Sequence, residues 1–174
     1  MRVSETHARH GRQARRLTVN RVRIPPGYFT IAHEMKEGVG ALILLVEDDP
    51  ANMLLTRTVL EDAGHRILAA ASVPDARELL ELEHPDLVLT DVDVLGESGL
   101  ELARDVREDP RLQDVPVVAL TAHAMPGMAE EVFDAGCSDY ITKPVDIGQL
   151  LRRVNAHLMV ARAPRHHSPG GRTA

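Results

Sequence analysis

Short continuous apolar runs alternate along this chain with longer segments whose apolar residues recur at helical spacing. Ala41–Val46 (ALILLV) has the length of a buried strand. Pro50 then opens a helix to Ala63, with Asp49 as N-cap and Gly64 as the stop. Arg66–Ala70 is a short second strand, and Val73–Glu83 a helix with Ser72 as N-cap and Pro74 in its first turn. Asp86–Thr90 (DLVLT) is a third strand, followed by a helix over Gly99–Arg107. Pro116–Leu120 (PVVAL) is a fourth strand, followed by a helix over Pro126–Ala135 that Gly136 stops. Asp139–Ile141 is a brief fifth strand. Val145–Val160 is the last helix, with Leu150, Leu151, Val154 and Leu158 on one face.

Five strand–helix units in this order predict an α/β fold: a parallel sheet with helices on both faces. Ligands in such open sheets bind beyond the C-terminal strand ends. On the first helix, Leu55, Val59 and Leu60 are expected to face the sheet. Met53 and Leu54 cannot both join that stripe, so at least one of them is exposed. Residues 1–38 carry no sustained apolar period and read as a disordered basic tail. Residues 39–160 form the domain, and 161–174, rich in Pro and Gly, a second disordered tail. The adjacent His166 and His167 in that tail carry no metal-site signal of their own.

Charge sharpens this division. Residues 1–36 have a net charge of +6, residues 37–160 of −15 and residues 161–174 of +3. The acidic body is unsuited to gripping a phosphate backbone, and the 14 residues after Val160 are too few for a helix-turn-helix, so no specific nucleic-acid partner is expected. The longest uncharged apolar run, Gly38–Val46, is far short of the roughly 20 residues that span a bilayer, and the N-terminus lacks a secretory h-region. No membrane partner is expected, and the cytoplasm is the default location. The single cysteine, Cys137, excludes an internal disulfide and reads as a small, partly buried residue. His65 and His84 flank strands and read as solvated.

The chemistry gathers where the topology directs attention. The first strand ends in Glu47-Asp48-Asp49, the third in Asp91-Val92-Asp93, the fourth in Thr121, and the fifth leads to Lys143-Pro144. Carboxylates converging at one sheet edge repel one another unless a cation neutralises them. Oxygen donors without His or Cys suit Mg²⁺. A lysine and a hydroxyl from two further strands add positive charge and a donor. Such a set fits phosphoryl transfer to a carboxylate, in which the three oxygens of the moving group need neutralising.

With these residues in place, the stretches LLVEDD, PDLVLTDVDVLGESGLEL, VPVVALTAHAM and AGCSDYITKP identify a resemblance. Residues 41–160 resemble the receiver domain of response regulators in two-component signalling, especially stand-alone cell-cycle receivers and the receivers of hybrid kinases. The resemblance implies a flavodoxin-like doubly wound sheet with strand order 2-1-3-4-5. It implies Asp91 as phosphoacceptor and Mg²⁺ as cofactor, held directly by Asp48 and through water by Glu47. Asp93 stands where the family gives the metal a backbone carbonyl. Thr121 matches the switch hydroxyl, Lys143 the family's lysine, and Tyr140 its aromatic switch. The implied donor is a phosphohistidine on a histidine kinase or a histidine phosphotransfer protein. Output then passes by contact to a protein target that the sequence does not name. Met53 and Leu54, beside the site, are the expected docking contacts for the donor. Asp93 and His123 border the path of attacking water, with Ala122 between them leaving room for the phosphoryl group. One departure is Leu95, where the family usually has Pro.

Two other readings share features with this one. D-x-D after an apolar strand is also the nucleophile motif of haloacid-dehalogenase-like phosphatases. There, however, the second acidic cluster follows the lysine, whereas Glu47-Asp48 precede Asp91, and Val94-Leu95 replace the usual Gly-Thr. A degenerate receiver that only binds partners would not need the complete set Asp48, Asp91, Thr121 and Lys143. The chain is expected to be no enzyme, but a phosphoacceptor that assists its own phosphorylation and dephosphorylation.

Overall fold

The computed structural model describes residues 40–122 and 127–162. The elements are β1 (Leu42–Val46), α1 (Pro50–Asp62), β2 (Arg66–Ala70), α2 (Val73–Leu82), β3 (Leu87–Asp91), β4 (Asp93–Val94), β5 (Glu97–Ser98), α3 (Gly99–Glu108), β6 (Val117–Thr121), α4 (Met128–Asp134), β7 (Asp139–Thr142) and α5 (Ile147–Arg162).

Five strands form one parallel sheet in the order β2-β1-β3-β6-β7. With the short β4–β5 hairpin set aside, this is the expected order 2-1-3-4-5. Successive residues of a strand point to opposite faces, so a strand buried on both sides reads as continuously apolar. In β1, Ile43 and Leu45 join a core with Val59 and Leu60 of α1 and Leu150, Leu151, Val154 and Leu158 of α5. Leu44 and Val46 face the other way and pack with residues of α2, α3 and α4, among them Val73, Leu80, Leu102, Val106 and Val132.

The helix starts follow local chemistry. Asp49 Oδ1 accepts hydrogen bonds from the N–H groups of Ala51 (3.0 Å) and Asn52 (2.8 Å) at the start of α1. Ser72 and Ser98 cap α2 and α3 in the same manner. The last helix begins at Ile147 rather than at the expected Val145. Asp146 intervenes, its Oδ1 accepting from the Gln149 N–H at 2.7 Å, so it is the cap and not a helical residue.

The apolar stripe of α1 differs from expectation. Thr56, Val59 and Leu60 are buried, Met53 and Ala63 pack partly beside them, and Leu55 is 44% exposed. Positions 53, 56, 60 and 63 follow one stripe with 59 at its border, and 55, one turn before 59, lies beyond that border. A threonine occupies the place the sequence pattern assigned to a leucine. His65 also differs: it is half-buried, because the chain turns back beneath the end of α1 and its N–H bonds Leu60 O at 3.0 Å. His84 is exposed as expected, with Nε2 2.7 Å from Arg111 O. Pro126, expected to open the fourth helix, lies outside the described residues, and α4 begins after Gly127 (φ 96). Among the described residues, no helix is long and apolar enough to cross a membrane.

Candidate functional site

The site forms where β1, β3, β6 and β7 end at the same edge of the sheet. Glu47 and Asp48 follow the last residue of β1, Asp91 ends β3, Thr121 ends β6, and Lys143 follows β7. Parallel strands in register make this convergence automatic: Val46 pairs with Thr90, Asp91 with Leu120, and Thr121 with Thr142.

Glu47, Asp48 and Asp91 each place a carboxylate oxygen within 4.8 Å of the others. Glu47 and Asp91 are buried. Lys143 bridges those two: its Nζ is 2.6 Å from Glu47 Oε2 and also donates to Asp91 Oδ2. Burial disfavours the Lys143 ammonium, but hydrogen bonds to Asp91 and Glu47, and their charge, outweigh it and raise its pKa above the ordinary lysine value. One ammonium against three carboxylates leaves the group short of positive charge. Oxygen-only donors at this spacing fit a hard divalent cation.

Each carboxylate is held from a different direction. The other oxygen of Glu47 accepts from the Asp49 N–H (3.3 Å) and from Asn52 Nδ2 (3.4 Å). Asp91 Oδ1 accepts from the Asp93 N–H at 3.3 Å. Asp48 Oδ2 accepts from the Leu95 N–H at 3.3 Å. Asn52 and the Leu95 amide were not among the residues the sequence pointed to. The first contacts Glu47 by standing on the first turn of α1. The second depends on a hairpin too short to leave a periodic pattern.

Thr121 is buried at the site edge, and its carbonyl accepts from the Lys143 N–H at 2.7 Å. Tyr140 is half-buried on β7, with its ring edge-on to Phe133 of α4 at 6.1 Å and 68°. Asp93 has an exposed side chain on β4 and is not one of the three clustered carboxylates. Asp91 ends β3 and Asp93 opens the separate β4–β5 hairpin: Asp91 and Val92 are buried and Asp93 is exposed, so Asp93 reaches the site through its backbone N–H. His123 lies outside the described residues, and with it the expected pairing with Asp93. On α1, Leu54 is 62% exposed, whereas Met53 is half-buried against the core.

The family profile described as the response regulator receiver domain matches residues 43–155. The chain belongs to the response regulator receiver family. Among characterised relatives, it is 34% identical over 116 residues to the polar-differentiation response regulator DivK of Brucella ovis, covering 67% of this chain and 94% of that one. A crystal structure of a putative response regulator from Chloroflexus aurantiacus superposes with a TM-score of 0.66 at 31% identity, over 69% of this chain and 98% of that one. The receiver domain of a sensor histidine kinase from Pseudomonas aeruginosa, solved with a magnesium ion coordinated in its active-site cleft, gives a TM-score of 0.64 at 32% identity, over 69% of this chain and 98% of that one. This receiver therefore has the flavodoxin-like fold of stand-alone receivers, and its acidic group lies where that fold binds ligands. The phosphatase reading finds no support in these relatives.

Two residues at the opposite edge of the sheet have roles in the scaffold. Arg107, on the last turn of α3, donates from Nε to Gly136 O (2.8 Å), from one terminal nitrogen to Gln113 O (3.0 Å) and Val115 O (2.7 Å), and from the other to Ser138 Oγ (3.3 Å). It ties the end of α3 to the loops before β6 and β7. Cys137 is buried beside it, and burial pushes its thiol up to about 11.

Proposed function

We propose that this receiver is a phosphoacceptor switch whose nucleophile is Asp91. The observation that carries the reading is the Lys143 ammonium, shared between Glu47 and Asp91 at the edge where four strands end. A carboxylate oxygen of Asp91 attacks phosphorus of a phosphohistidine. The P–N bond breaks, its electron pair leaves with the imidazole, and an acyl phosphate remains on Asp91. Lys143 and the Thr121 hydroxyl take up charge on the transferred oxygens. Asp48 and Asp91 would hold Mg²⁺ directly and Glu47 through water, and the ion would supply the further positive charge that the phosphoryl oxygens need.

The donor is a histidine kinase or a histidine phosphotransfer protein, meeting the exposed Leu54 beside the site. Movement of Thr121 toward the phosphoryl group frees space that Tyr140 fills, which alters the surface of α4, β7 and α5. Such a population shift is worth about 1–3 kcal/mol of coupling. The chain then signals by protein contact in the cytoplasm.

The test is intact mass after incubation with Mg²⁺ and a small acyl-phosphate donor. The native chain gains one phosphoryl group, labile to base, and Asp91→Asn gains none. Labelling of Asp91→Asn at the native level would remove Asp91 as acceptor. A native chain that stays unlabelled would leave a receiver that only binds partners.

A further inference from the structure

Glu47 and Asp91 are anchored within the sheet edge, Glu47 by Lys143, Asn52 and Asp49, and Asp91 by Lys143 and the Asp93 N–H. Asp48 is the least buried of the three, and its anchor comes from a loop 47 residues away, the Leu95 N–H at 3.3 Å from Oδ2. We propose that Leu95 is a positioning residue for the metal centre, its main-chain N–H fixing the Asp48 carboxylate for Mg²⁺. This rests on the reading of Asp48 as a ligand.

The backbone of the loop supports the assignment. β4 and β5 form a hairpin of two residue pairs, Asp93 with Ser98 and Val94 with Glu97, closed by Leu95 and Gly96. Both closing residues have positive φ, 52° and 81°. Two-residue hairpins favour Asn, Asp or Gly there, because a Cβ in the left-handed region crowds the following carbonyl. Leu95 adopts this conformation without recovering packing, since it is 68% exposed. What the conformation achieves lies in the main chain. It leaves the Leu95 N–H outside the hairpin ladder and directed at Asp48. A carboxylate has about four lone-pair positions, so one accepted N–H leaves acceptor capacity for a cation. Partners that orient a ligand commonly change metal affinity by about 10–100-fold when removed.

The experiment replaces Leu95 by its α-hydroxy acid, which exchanges the N–H for an ester oxygen and keeps the side chain. Mg²⁺ affinity is measured by calorimetry on the full chain, with melting temperature as the check on folding. The ester form should bind Mg²⁺ about 10-fold more weakly, while Leu95→Gly, which keeps the N–H and tolerates positive φ, should match the native chain. Hydrogen exchange of the Leu95 amide, followed by NMR without metal, gives a second readout. It should be slow in the native chain and faster in Asp48→Ala. Equal Mg²⁺ affinity in native and folded ester forms would overturn the proposal, as would equal exchange rates in native and Asp48→Ala. A native chain that binds no Mg²⁺ would remove the metal reading itself, a result the native titration alone reveals.

Discussion

Gly99 begins α3 so close to Asp91 that a methyl group placed on it would stand 1.8 Å from the Asp91 carbonyl oxygen and 2.6 Å from Thr90 Oγ1. The end of β3 and the start of α3 are thus in backbone contact directly beside the proposed nucleophile. The Gly99 N–H also donates to Val92 O at 2.8 Å. Gly99→Ala forces one of the two backbones to move and should destabilise the fold by about 3 kcal/mol. Urea unfolding measures the loss. Labelling of Asp91 should slow as well, because the displaced atom belongs to the acceptor residue. A variant of native stability would show that the helix start yields freely.

Lys143 makes stability depend on pH at the alkaline end. Its folded pKa is raised, so the ammonium favours the folded state fully below the ordinary lysine value, and this contribution is lost as pH rises through the higher folded value. Lys143→Met should therefore be less stable than the native chain at neutral pH, by about 2 kcal/mol for a partly buried pair. The gap should narrow as pH rises beyond the ordinary lysine value and through the raised folded value. Urea midpoints of both proteins across this range are the check, and a gap independent of pH would refute the linkage.

Arg107 satisfies three backbone carbonyls and a hydroxyl from one guanidinium. Burial lowers its pKa but leaves it charged. Arg107→Ala should cost about 2–3 kcal/mol, since carbonyls lose charged donors. Arg107→Lys should recover little, because an ammonium cannot reproduce the planar fork. Thermal melting of the two variants separates charge from geometry.

The exposed apolar pair on α1 is Leu54 and Leu55, at 62% and 44%, rather than Met53 and Leu54. Leu54→Glu with Leu55→Glu should slow phosphoryl transfer from a histidine phosphotransfer protein by about 10-fold or more, while changing labelling by a small acyl phosphate little. Equal slowing with both donors would place the defect in the site and not in docking.

Cys137 is buried, and its thiol is raised to about 11. Reaction needs the thiolate. Alkylation at pH 8 (about half a unit below an ordinary thiol's pKa) should be slow in the folded chain and fast in urea. Rapid labelling without denaturant would contradict the burial.

The sequence by itself determined the alternation of strands and helices, the strand order through its family resemblance, and the residues that end each strand. These are legible because buried parallel strands are continuously apolar, and because Asp49, Ser72, Gly64 and Gly136 mark helix ends by local hydrogen bonding and backbone preference. Glu47, Asp48, Asp91, Thr121 and Lys143 were found because one topology carries all of them to the same edge. The tertiary structure alone decided how those groups are held. Helical spacing admits more than one stripe on α1, and only packing against the sheet turned Thr56 inward and Leu55 outward. The outward turn of Asp93, the left-handed Leu95 and its bond to Asp48, and the four-way contact of Arg107 join residues far apart in the chain or depend on a two-pair hairpin. Periodicity and composition register what each residue prefers locally. Hydrogen bonds across tens of residues are fixed only when the sheet edge brings the partners within reach.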